Sequence, residues 1–173
     1  MTGNSAAVDL AEGEKWAMHA AYTLKSACRL NLQRIPRELE YTCDYFLDRK
    51  DRKGYKKFEF KRDPSLGVTG NAMMELWENW DEGKEGWAHR YQVLDYMSFI
   101  AKHEELELWT YSWRPMKAYF WARQNASPYH IVRGVKNNPQ CWIALIPDKE
   151  FAPFLIRKDD LEFVPNEPQQ LDS

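Results

Sequence analysis

The 173-residue chain is short of several things that would narrow its class. Cysteine is scarce: Cys28, Cys43 and Cys141 lie far apart and form no CxxC pair. That argues against a disulfide framework and for reduced, buried thiols in a cytoplasmic protein. The histidines His19, His89, His103 and His130 show neither an HxxxH nor a Cys/His spacing, which speaks against a zinc site. No apolar run approaches the roughly 20 residues that a membrane span needs. The N-terminus is polar, with no basic n-region and no apolar h-region. The expectation is a soluble, cytoplasmic chain with no membrane partner. Internal repeats and low-complexity tracts are missing too. Charge of one sign is also lacking, since the formal net charge is only -2. Any nucleic-acid binding must therefore come from a local basic patch.

What is present suits one domain with a core: 44% hydrophobic and 14% aromatic residues. The expected limits are 9–164, with flexible tails at 1–8 and 165–173. Trp16, Ala20, Leu24, Ala27 and Cys28 recur at helical steps, and no proline interrupts before Pro36. Asp9 is the expected N-cap of that helix, although Gly13 weakens its first turn. From Leu39 to Asp48 the pattern switches to period two, and it does so again from Tyr55 to Arg62. Between them 51-DRKG-54 suits a type I turn. These segments read as a β-hairpin with arms near 40–50 and 55–62. Residues 64-PSLGVTGN-71 form a loop, and periodicity leaves 72–80 open between strand and helix. Trp87–Leu94 reads as a short helix, Tyr96–Ala101 and Leu106–Trp113 as strands. Pro115 reads as the N1 residue of a helix through Ala122, 141-CWIALIP-147 as a strand and 148-DKEFAPF-154 as a turn or short helix. The expected class is mixed α/β, with helices covering a central sheet.

The stretch 56-KKFEFKRD-63 carries the chemistry. In a strand, Phe58 and Phe60 share one face, and Glu59 and Lys61 the other. The hairpin brings Asp44 across to Glu59, within a register uncertainty of one residue. Asp48 shares that face and is the alternative. Two neighbouring carboxylates repel unless a positive group lies between them. A divalent metal is suited to that place, held by one or two carboxylates with waters and phosphate oxygens. Lys61 beside it would orient a water or stabilise charge on a phosphate. The plainer alternative is an ion pair on a solvated strand edge.

Asp44 followed by Glu59-Phe60-Lys61 resembles the active-site signature of the PD-(D/E)xK nuclease superfamily, with Cys43 where the motif has proline. A longer series resembles a small, largely phage-borne subgroup of that superfamily: 59-EFKRD-63, 69-TGN-71, Glu75, 86-GW-87 and 95-DY-96. It spans roughly residues 12 to 125, and Leu94 stands where the subgroup has alanine. The resemblance implies a restriction-endonuclease-like fold with a mixed central sheet flanked by helices, and a strand at 72–80. It implies a metal-dependent phosphodiesterase acting on DNA. Asp44, Glu59 and the Phe60 carbonyl would bind Mg²⁺ or Mn²⁺, and Lys61 would position the attacking water. Glu14, with Glu12 as second choice, would hold a second metal or its water.

The hairpin also concentrates positive charge. Lys50, Arg52, Lys53, Lys56, Lys57 and Arg62, with Asn71 nearby, are the candidate nucleic-acid contacts. Glu75 is a candidate support for the metal site. Trp77, Trp80, Trp87, Trp109, Trp113 and Trp121 are core or interface residues by default, with base stacking the alternative for one or two near a cleft. A homodimer would suit cutting two strands. The contrasting functional class is a non-catalytic DNA- or protein-binding subunit with a nuclease-like fold.

Overall fold

Helix α1 spans Gly3–Cys28. It begins before the expected cap, so Asp9 lies within the helix and not at its start. The helix-favouring run around Ala6 and Ala7 lets it propagate N-terminally. Gly13 does not interrupt it. The helix closes where Arg29 takes a left-handed φ of 57° and the Leu30 amide donates back to Leu24 O at 3.3 Å. The computed structural model describes residues 3–36, 44–48, 55–63, 65–91, 93–102, 104–135 and 138–165.

The chain forms a mixed α/β structure with two sheets. Its strands are β1 (Gln33–Arg34), β2 (Tyr45–Asp48), β3 (Tyr55–Asp63), β4 (Asn71–Asn79), β5 (Lys84–Glu85), β6 (Tyr96–Lys102), β7 (Leu106–Ser112), β8 (His130–Val135), β9 (Asn138–Pro147) and β10 (Leu155–Asp160). The other helices are α2 (Trp87–Arg90), α3 (Trp113–Ala126) and α4 (Asp148–Phe151), the last followed by a 3-10 turn at Ala152–Phe154. One sheet has the order β1-β2-β3-β6-β7-β10, and the other β5-β4-β9-β8. The first is mixed, because β3 and β6 run parallel while its other pairs are antiparallel.

A single central sheet was expected, and the structure corrects this. The chain leaves the first sheet after Asp63 and enters the second at Asn71. Asp63 enforces the change. Its buried carboxylate accepts from Ser65 N, Ser65 Oγ and Leu66 N through Oδ1, and from Met73 N through Oδ2. Gly70 follows with φ 70°, a conformation that β-carbon sterics disfavour. Pro115 is the third residue of α3, not its first. An amide there is still without an intrahelical acceptor, so proline is tolerated.

Two apolar clusters follow from the strand periodicity. Ala17, Ala20 and Leu24 of α1 pack on Phe58, Phe60, Ile100 and Leu108. On the other face, Met97, Phe99 and Tyr111 meet Met74, Leu76 and Ile146 of the second sheet and Trp113, Met116 and Phe120 of α3. Burying each such large side chain contributes about 1.5–3 kcal/mol. No helix among the described residues is long and apolar enough to cross a membrane.

Candidate functional site

The β2–β3 hairpin sets the register. Tyr45 pairs with Phe58, Leu47 with Lys56 and Asp48 with Tyr55. One step beyond the ladder, the Asp44 amide donates to Phe58 O at 3.0 Å. Asp44 Oδ2 accepts from the Phe60 amide at 2.9 Å. Asp44 therefore sits beside the Glu59-Phe60-Lys61 triplet. Asp48, the alternative, lies at the far end of the ladder. Lys50, Arg52, Lys53, Cys43 and the 51-DRKG-54 turn lie outside the described residues.

Glu59 projects away from α1 and is 1% exposed. Its Oε1 forms an ion pair with Lys61 Nζ at 2.5 Å and accepts a short hydrogen bond from the Tyr91 hydroxyl. Lys61 Nζ also donates to Tyr91 Oη at 3.3 Å. Glu59 Oε2 is buried and has no hydrogen-bond partner among the described residues. Burial disfavours the Lys61 ammonium most strongly of any single cause, but Glu59, Tyr91 and Asp44 together outweigh it. The amine is held above the usual lysine range. Burial raises the Tyr91 phenol as well, and Glu59 adds to that.

Tyr91 was not among the sequence candidates. It follows α2, and its carbonyl accepts from Trp113 Nε1 at 2.8 Å and Lys117 Nζ at 3.2 Å. Strand periodicity can pair residues within a hairpin. It carries no signal for a hydroxyl delivered from a separate short helix.

On the α1 side a groove of about 230 Å³ is lined by Glu14, Trp16, Arg34, Asp44, Phe60, Lys61 and Arg62, among others. Five sequence candidates thus meet at one groove: Glu14, Asp44, Phe60, Lys61 and Arg62. Glu14, however, is spent on Arg34, with 2.8 Å between Oε1 and the guanidinium. Glu12 Oε1 pairs with Arg62 at 2.6 Å and accepts from Trp16 Nε1 at 3.2 Å. The Arg62 guanidinium lies 4.8 Å from the Trp16 ring centroid. Both arginine pairs are solvent-exposed, and such pairs contribute about 0–1 kcal/mol each. Among the described residues no group of three or more His, Cys, Asp or Glu is placed to hold a metal.

Glu75 belongs to a second cavity, of about 410 Å³, which Lys61 also lines. Its Oε1 accepts from the Trp87 amide at 3.2 Å, and Arg90 bridges toward Glu78 at 3.1 Å. Gly86 packs so closely on β4 that a β-carbon there would lie 2.3 Å from Glu75 O. Asn71 closes the turn before β4, its Nδ2 donating to Thr69 O at 3.1 Å. Asp95 accepts from Lys56 Nζ at 2.9 Å and from the Lys57 amide at 3.1 Å, which seats β6 against β3. Much of the ordered series Asp63, Thr69-Gly70-Asn71, Glu75, Gly86 and Asp95 therefore holds strands and sheets in place around the triplet.

The tryptophans divide in the same way. Trp87, Trp109 and Trp113 are buried. Trp80 is exposed and stacks on Trp142 with centroids 4.1 Å apart, Trp77 meets Trp80 edge-on, and Arg133 lies over Trp142 at 4.4 Å. This cluster is built on the second sheet and its β4–β5 turn, whereas Trp16 is the tryptophan at the groove. Comparison of the chain with protein-family models, with curated proteins and with solved structures finds no match.

Proposed function

We propose that the protein is a divalent-metal-dependent DNA phosphodiesterase of the PD-(D/E)xK type, with a restriction-endonuclease-like arrangement around β2, β3 and β6 and a cytoplasmic place of action. The observation that carries this reading is Glu59 Oε2, buried with no donor among the described residues, one position along β3 from the Phe60 amide that Asp44 accepts. A buried carboxylate oxygen without a donor is costly. A hard cation is the partner that oxygen ligands of this kind suit. Asp44, Glu59 and the Phe60 carbonyl would hold Mg²⁺ or Mn²⁺, which when bound would polarise a phosphate and a water. The chain's own residues do the rest. Lys61 lines the groove, its ammonium group paired with Glu59. Tyr91 fixes the direction of both Glu59 and Lys61. Glu14 stands at the groove wall in its pair with Arg34.

The test is cleavage of single-stranded, duplex and branched DNA with Mg²⁺ or Mn²⁺. Wild-type cleavage that disappears in Glu59→Ala and in Asp44→Asn is the expected result. If wild type and the Glu59→Ala, Lys61→Ala double variant behave alike on every substrate, the catalytic reading is wrong.

A second reading is a non-catalytic binding subunit. Two observations favour it. Lys61 is already committed to Glu59 and Tyr91, and the described residues place no three-carboxylate cluster. Calorimetric Mn²⁺ titration separates the readings: heat that vanishes in Asp44→Asn belongs to the enzyme, and no heat to the binding subunit.

A further inference from the structure

We propose that Arg34 and Arg62 form a phosphodiester grip, and that Glu14 and Glu12 of α1 occupy it as exchangeable counter-ions until a DNA backbone displaces them. The choice of DNA as ligand rests on the nuclease reading above. The grip itself rests on the geometry of the groove.

Both arginines line the groove beside Asp44 and Phe60. An α1 carboxylate oxygen faces each guanidinium, Glu14 Oε1 at 2.8 Å from Arg34 and Glu12 Oε1 at 2.6 Å from Arg62. A phosphodiester presents two anionic oxygens and one negative charge, so it can replace a carboxylate like for like. A guanidinium fork also binds it in a bidentate manner. The exchange requires that the resident pairs be weak, and their exposure makes them so. The side chains are 49% and 35% exposed in one pair, 40% and 42% in the other. Arg62 is held over Trp16 by a cation–π contact, which keeps the guanidinium at the groove when its counter-ion leaves. Two described lysines of the hairpin are already committed elsewhere. Lys56 is tied to Asp95 and Lys61 to Glu59.

Each α1 carboxylate then has two effects. It orients its arginine in the free protein, and it competes with the ligand. Removing the arginine and removing the glutamate must therefore change DNA affinity in opposite directions. A metal-coordinating role for Glu14 predicts no such opposition in the absence of metal.

The experiment is fluorescence anisotropy of labelled single-stranded and duplex oligonucleotides with the full chain in EDTA, across a salt series. Arg34→Ala and Arg62→Ala are expected to weaken binding about tenfold each and to lower the slope of log K against log[salt] by about 0.7–0.9. Arg34→Lys and Arg62→Lys should keep the slope but bind less tightly than wild type. Glu14→Gln and Glu12→Gln should tighten binding several-fold at low salt, while Glu82→Gln, on the turn after β4, should not. Thermal melting of each variant confirms folding, and only variants that melt like wild type are compared. The proposal is overturned if wild type binds neither oligonucleotide, if the arginine variants bind like wild type, or if Glu82→Gln tightens binding as much as Glu14→Gln. Cleavage with Mn²⁺ is scored separately. Opposed effects without any cleavage would sink the nuclease reading and leave the grip standing. Cleavage with no arginine effect would do the reverse.

Discussion

Replacing Lys61 with methionine keeps most of the side-chain stem and deletes the charge that faces Glu59. Glu59 is 1% exposed, so the variant leaves a buried carboxylate holding the Tyr91 hydroxyl but no lysine. Removing one partner of a buried ion pair costs about 3–5 kcal/mol. The Lys61 side chain is 31% exposed, and water reaching that end reduces the loss. Proton uptake sets a second bound. A glutamate free in water has a pKa of about 4.3, so keeping it neutral at pH 7 costs about 3.7 kcal/mol. The expected destabilisation at pH 7 is therefore about 2–4 kcal/mol. In the variant the folded state binds the proton more readily than the unfolded state. Its stability then falls as pH rises above about 4.3, and its deficit against wild type shrinks by up to about 1.4 kcal/mol per pH unit from pH 7 toward 5. Wild type differs, because its folded lysine is held above the usual range. That contribution is complete below the unfolded value of about 10.4 and is lost only at higher pH. Urea unfolding of wild type, Lys61→Met, Glu59→Gln and the double variant, in EDTA at pH 5, 6 and 7, gives these quantities. The double variant should recover at least half of the loss, since it buries no charge. A Lys61→Met loss under about 0.5 kcal/mol at pH 7, or a deficit that stays constant down to pH 5, refutes the reasoning.

Other substitutions probe the frame around the triplet. Asp63→Asn turns an amide toward four donors that converge on one carboxylate; a loss of about 2–4 kcal/mol in urea unfolding is expected. Gly86→Ala drives a β-carbon to 2.3 Å from Glu75 O, and should cost more than about 3 kcal/mol and loosen the β4–α2 contact, seen as faster exchange of the position-86 amide that donates to Leu76 O. Tyr91→Phe removes one donor to Glu59 and should cost about 1–2 kcal/mol of stability, while changing Mn²⁺-dependent cleavage at least tenfold if the nuclease reading holds. The Cys141 thiol, pushed up to about 11 by burial with help from Glu75, should resist iodoacetamide at pH 8 in the native protein and react on unfolding.

The sequence by itself determined the parts that depend on neighbours along one strand or helix. Period two put Phe58 and Phe60 on one face of the strand and Glu59 and Lys61 on the other, because a pleated strand alternates its side chains. The alternation of 39–48 and 55–62 also placed Asp44 near the triplet, since a hairpin register is short-range. Helical spacing found the Ala20–Leu24 face of α1. The strand β8 was not legible, because Arg133 and Gly134 break its pattern. The same holds for β10, because 157-RKDD-160 reads as surface. Tertiary structure alone decided that β4 leaves for a second sheet, where Met74 and Leu76 gain a partner face on β9. It alone delivered Tyr91 to Glu59 and Lys61, set Arg34 against Glu14, and left Glu59 Oε2 buried without a donor among the described residues. Those contacts join residues far apart in the chain. They exist only once packing has fixed how the helices and sheets meet, and no local periodicity encodes that.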